Sequence, residues 1–181
     1  MLKKIILFAT IAAGLVFPQT VYEPVYKNEV YDFLERQSLK GIITYNSETV
    51  PLPRKLITEK LLLLQDKQNQ LSEIEKRQLD FFLKEYFDEV SRLKNNFEGI
   101  ESGFFESSTK QRLRFYNYSS KNFSVNIEPI LGINIGSSYG GDYRHRWNGA
   151  KFSGYIGDGW GFSMDFRDNE ERGKTLDSIK N

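Results

Sequence analysis

Apolar residues in the first half of the chain recur at three- and four-residue steps, and those in the second half at every second residue, which predicts helices followed by antiparallel strands. Val30, Phe33, Leu34 and Gln37 form one stripe, and Gly41 stands where a helix C-terminus needs a residue free to take positive φ. Ile42-Ile43-Thr44-Tyr45 reads as a short β-like step. Pro51-Leu52-Pro53-Arg54 then leads into Leu56, Ile57, Lys60, Leu61 and Leu64, with Pro53 in a first turn where its missing N–H costs nothing. Ser72 with Glu75 is a capping box, and Leu79, Phe82, Leu83, Tyr86, Val90 and Leu93 behind it predict one continuous third helix. Its other face carries Lys76, Asp80, Lys84 and Asp88 and is expected to be solvated. These stripes read as core and not as membrane-surface helices, because the charged face mixes signs.

Residues 20–93 therefore form a helical segment, and 94–111 a polar linker containing Asn95-Asn96, Gly99, Ser102-Gly103 and Ser107-Ser108-Thr109. From 112 onward the period is two. Phe123, Val125, Ile127, Leu131, Ile133 and Ile135 alternate with Ser124, Asn126, Glu128, Gly132 and Asn134. Trp160, Phe162, Met164 and Phe166 alternate with Gly161, Ser163, Asp165 and Arg167. Between them 147–156 alternates more weakly through Ala150, Phe152 and Ile156, and 112–118 is a further candidate strand whose apolar face is Leu113 and Phe115. Reversals are expected at 137–142 and at Gly157-Asp158-Gly159, where Gly and Asp supply positive φ.

Composition narrows the function classes. Lys and Arg nearly balance Asp and Glu, for a net charge of +1, so no overall field recruits nucleic acid. The chain has no Cys, which removes disulfides, thiolate catalysis and Cys-based zinc sites. Lys3 and Lys4 followed by the apolar run 5–17 match a secretory signal peptide (1–19), with cleavage expected near Thr20 or Val21. An uncleaved N-terminal anchor is the other reading of that run.

One apolar and one polar face suit a soluble antiparallel sheet as well as a barrel in lipid. The export signal favours the barrel, as do strand lengths near the ~9–11 residues that cross a bilayer at a tilt. So do the aromatics Trp147, Tyr155, Trp160 and Phe166 toward strand ends, where interfacial girdles form. A barrel needs about eight strands. The chain supplies fewer, and 177–181 offers no closing amphipathic strand, so 112–181 is expected to be the first, truncated part of a transmembrane barrel.

Three segments carry a family resemblance. Val30-Tyr-Asp-Phe-Leu-Glu-Arg36 with Gly41, Pro51-Leu-Pro-Arg54 with Ile57 and Leu61, and Arg146-Trp-Asn-Gly149 through Gly154, Gly161-Phe162 and 165–170 resemble the capsule assembly (Wzi-like) outer-membrane proteins. The resemblance implies an α+β chain with a periplasmic helical segment ahead of an outer-membrane barrel. It also implies a non-enzymatic role in capsule or exopolysaccharide assembly, with outer-membrane lipid and surface polysaccharide as partners.

No Ser-His-Asp order, P-loop or Rossmann pattern is present, and no cofactor, catalytic residue or metal site is expected. His145, the lone His, reads as a loop or rim residue. The acidic group Asp165, Asp168, Asn169, Glu170 and Glu171 lacks an EF-hand pattern and reads as a solvated loop. Arg112, Arg114, Arg144 and Arg146 are candidate contacts to anionic polysaccharide or lipid headgroups, or partners of acidic loop residues. Trp160, Phe162, Met164 and Phe166 are the expected lipid-facing set. A general porin or transporter with a periplasmic docking segment is the alternative function, and a barrel lipase a third.

Overall fold

The computed structural model describes residues 20–25, 28–138 and 141–173. The expected signal segment, the reversal at Tyr139 and Gly140 and the closing residues 177–181 lie outside the described residues. The fold is α+β: helices α1 (Asn28–Leu39), α2 (Arg54–Asp66), α3 (Glu73–Glu85) and α4 (Phe87–Lys94), then an antiparallel meander β1 (Gly103–Phe104), β2 (Tyr116–Ser119), β3 (Phe123–Ser138), β4 (Gly141–Ile156) and β5 (Trp160–Gly173) in sequential order. Among the described residues β1 and β5 remain the sheet's two edges, so it does not close on itself.

The core lies among the helices. Phe33, Leu34, Ile57, Leu61 and Leu64 are fully buried, with Leu79, Phe82 and Tyr86 packed against them. Gly41, at φ 73°, ends α1 by letting Ile42 N–H reach the Gln37 carbonyl at 3.0 Å. The expected β-like step at 42–45 is instead irregular chain, because Ile42 and Ile43 are drawn into the helical core and have no strand to pair with. The capping box forms as read from the sequence. The Glu75 carboxylate accepts from Ser72 N–H at 3.0 Å, and also from Gln37 Nε2 at 2.8 Å and Lys40 Nζ at 2.5 Å, so it ties α3 to α1. Lys40, Gln37 and the Ser72 amide together hold its pKa down at about 2.

The expected single third helix is two. Tyr86 leaves helical geometry (φ −97°, ψ 26°), and the break turns α4 so that Phe87, Asp88, Glu89 and Ser91 are its buried residues. Asp88, expected on a solvated face, is buried. The candidate strand at 112–118 shortens to β2: residues 112–115 are irregular, and the outward side chains of β2 are Tyr116 and Tyr118, not Leu113 and Phe115. β4 begins earlier than the pattern suggested, at Gly141, and β5 runs on to Gly173. The acidic group 165–171 is therefore strand and not loop; beyond Phe166 both faces are polar, which erased the alternation.

Candidate functional site

The register of β3, β4 and β5 sorts their side chains onto two faces. Phe123 pairs with Ile156, Ile127 with Phe152, Ile156 with Trp160, Phe152 with Met164 and Ala150 with Phe166, so these residues share one face with Leu131, Ile133, Ile135 and Phe162. The other face carries Ser124, Asn126, Glu128, Lys151, Ser153 and Tyr155, continued on β2 by Asn117 and Ser119.

Burial is the reverse of a soluble sheet. The polar face lies under the helices at the end nearer β3's start, where Ser124 is 0 % and Asn126 6 % exposed. The apolar face is open: Leu131 is 79 % exposed, Ile135 69 % and Phe166 56 %, with Ile133, Ile156 and Met164 also exposed. At ~1.5–3 kcal/mol for each large apolar side chain, leaving those six in water forgoes on the order of 10 kcal/mol, as much as the whole stability of an ordinary domain.

Helix α4 meets the polar face through a charged cluster. Asp88 accepts from Ser119 Oγ and from Asn126 Nδ2, each at 2.5 Å. Tyr155 donates its hydroxyl to Glu89 at 2.6 Å. Arg92 donates to the Gly157 carbonyl at 2.7 Å and to those of Ser120 and Lys121, binding both turns of this end, with its guanidinium 4.8 Å over the Tyr155 ring. Arg54 donates to Glu23 at 2.5 Å and to Glu89 at 2.7 Å and lies 4.2 Å over Tyr86. Burial works against its charge, but Glu89 and Glu23 outweigh that and hold its pKa well above the ordinary value. Asp88 goes the other way: burial, reinforced by the Glu89 charge, raises its pKa despite the Ser119 and Asn126 hydrogen bonds.

Two sequence candidates belong to this cluster. Arg114 is buried, donates to Glu128 at 3.0 Å and to the Glu85 carbonyl at 2.7 Å, and lies 4.8 Å over Phe87. Arg112 pairs with Glu85 and, at 2.7 Å, with Glu128. Both therefore face acidic protein groups. The remaining free space in the cluster is about 10 Å³, at most one water, so no sugar enters between these charges. The arrangement is an ionic seal between helices and sheet.

The other candidates are spread elsewhere. Arg144 and Arg146 lie on the outer face at the far end of β4, exposed, with Arg146 paired to Glu170 at 3.0 Å. Trp160, Phe162, Met164 and Phe166 share the outer face, and Phe166 meets Phe152 edge-on at 6.0 Å. Trp147 and Tyr155, expected beside Trp160 in an aromatic girdle, are on the opposite face. Trp147 covers Gly132, where a Cβ would meet its ring at 2.0 Å, and Tyr155 is held by Glu89. His145 lies on strand β4, its ring 4.9 Å from Trp147 and its Nε2 3.3 Å from Asn169 Oδ1. Among the described residues no group of three or more His, Asp or Glu is placed to hold a metal.

Sequence reasoning missed Glu23, Glu85 and Glu89 as buried partners, and Glu128 as a half-buried one. The alternation of Arg112 and Arg114, with Asn126 and Glu128 on a polar strand face, was the one signal that pointed to them. Comparison with protein-family models, with curated proteins and with solved structures found no match to this chain.

Proposed function

We propose that this chain is the periplasmic helical segment and first strands of an outer-membrane β-barrel, without catalytic activity, that takes part in assembling or holding capsule or exopolysaccharide. The observation that carries the membrane part is the inverted sheet: an apolar face open to the surroundings from the Phe123–Ile156–Trp160 row to the Pro129–Ala150–Phe166 row, continued on β3 by Leu131, Ile133 and Ile135, and a polar face turned toward helices and charge. Monomeric soluble proteins rarely leave large contiguous apolar patches uncovered, whereas barrels carry an outward apolar band ~25 Å tall around a polar interior. Strands of 14–16 residues are long enough to cross and project beyond a bilayer. Short reversals at 120–122 and Gly157–Gly159 lie at the helical end, as periplasmic turns do.

The polysaccharide part rests on the resemblance of the three segments named above. The seal formed by α4 across the polar face favours this reading over an open porin, whose lumen must be clear at the periplasmic mouth. Fractionation of cells expressing the protein tests the membrane part: recovery with outer membranes is expected, and recovery as a soluble periplasmic protein overturns it. Deleting the gene in a capsulated host is expected to release capsule into the medium; capsule retained at the wild-type level overturns the polysaccharide part.

A further inference from the structure

Beside the ionic seal, on the same side of the sheet, opens a cleft of about 560 Å³ lined by Lys55 of α2, Arg92 and Asn95 at the end of α4, Phe97, Lys121 and Tyr155. Its size falls within the ~300–1,000 Å³ of clefts that take small ligands. Its walls are fixed. Arg92 donates to the carbonyls of Ser120, Lys121 and Gly157, and Gly157 N–H donates to the Asn122 carbonyl at 2.7 Å, so both turns are locked to the helix.

The charges around it are unequally satisfied. Glu89 is engaged by Arg54 and Tyr155, and Asp158 approaches Arg92 at 3.7 Å. Lys55 and Lys121, both exposed, have no partner among the described residues. Two unpaired ammonium groups, one on a helix and one on a sheet turn, thus share a rigid cleft that also presents the half-buried ring of Phe97. Ammonium groups attract carboxylates, while an aromatic wall offers a flat apolar surface of the kind on which the C–H face of a sugar ring packs.

We propose that this cleft binds an acidic saccharide at the periplasmic rim, its carboxylates meeting Lys55 and Lys121 and a ring lying against Phe97. The choice of a saccharide over another organic anion rests on the function proposed above; the charge and shape do not.

The test is calorimetric titration of the complete chain in detergent with trigalacturonate, with maltotriose as the neutral control and inorganic phosphate as the bare anion. Trigalacturonate is expected to bind, and Lys55→Glu and Lys121→Glu each to weaken it at least tenfold while leaving the circular dichroism spectrum unchanged. Asp158→Asn is expected to bind at least as well as wild type. Absence of trigalacturonate binding, equal binding by the lysine variants, or equal binding of maltotriose or phosphate overturns the proposal. Loss of the site with outer-membrane recovery intact refutes the cleft alone, whereas recovery in the soluble fraction refutes the membrane reading and leaves the titration result standing.

Discussion

Arg54→Gln removes the one guanidinium that bridges Glu23 and Glu89 inside the helical segment. Both carboxylates are almost fully buried, at 1 % and 3 % exposure, and they meet Arg54 at 2.5 and 2.7 Å. Breaking a buried pair on one side costs about 3–5 kcal/mol, because the remaining charge has neither water nor a counter-ion. A segment of this size lies near the low end of the ~5–15 kcal/mol typical of domains, so the variant is expected to be largely unfolded at room temperature. Urea denaturation of the whole chain, followed by circular dichroism of its helical signal, reads the effect. With a slope of about 1 kcal/mol/M the midpoint should fall by ~3 M or to zero. Lys84→Gln, at the exposed 2.7 Å pair with Asp80, should cost less than ~1 kcal/mol. Replacing Arg54 with Met together with Glu23→Gln and Glu89→Gln should recover most of the loss, since neutral packing in place of a whole buried ion set is close to neutral. A single Arg54→Gln variant within about 1 kcal/mol of wild type would refute the reasoning.

Two further perturbations follow from the charges. Glu75 has its folded pKa lowered to about 2, so its contribution is complete above the unfolded value of 4.5 and is lost as pH falls from there toward 2. Because Lys40 is half exposed, Glu75→Gln should cost only ~1–2 kcal/mol at neutral pH and flatten the acid limb of a stability–pH curve; an unchanged acid limb would contradict this. Asp88 has the opposite sign: its raised pKa means the folded state holds a proton that the unfolded state releases, so it adds stability as pH falls through that raised value toward 3.8 and is a cost when ionised. Asp88→Asn should keep the Ser119 hydrogen bond and, with the Asn126 amide turned over, offer a donor to Asn126 Oδ1, which now has no partner. Thermal denaturation at pH 7 should show no loss of stability, and a large drop in melting temperature would refute the account of this contact.

How far the sequence revealed the fold depended on whether the signal was local. The Ser72–Glu75 box, the Gly41 terminus and the alternation through β3 and the first half of β5 all act between near neighbours, and all are present in the structure. The break at Tyr86 is not local. It follows from turning Asp88 and Glu89 toward Asn126 and Tyr155, tens of residues away in sequence, and a charged side chain in a helix carries no mark of whether water or a distant partner will meet it. Arg112 and Arg114 were visible as a basic pair, but their acids come from α3 and β3 and emerge only in the folded chain. The far half of β5 was hidden because its outer face turns polar past Phe166, which removes the period-two signal while the backbone pairing with β4 continues to Gly173.

The central claim is that the apolar face of β3–β5 meets lipid, and single cysteines on β5 test it in a chain that has none of its own. Met164 and Ser163 are neighbours, both exposed and on opposite faces. In the full-length, membrane-inserted protein, Met164→Cys should react with a lipid-partitioning maleimide and resist a water-soluble one, while Ser163→Cys should react with the water-soluble reagent. Equal labelling of both positions by the water-soluble reagent would contradict the account.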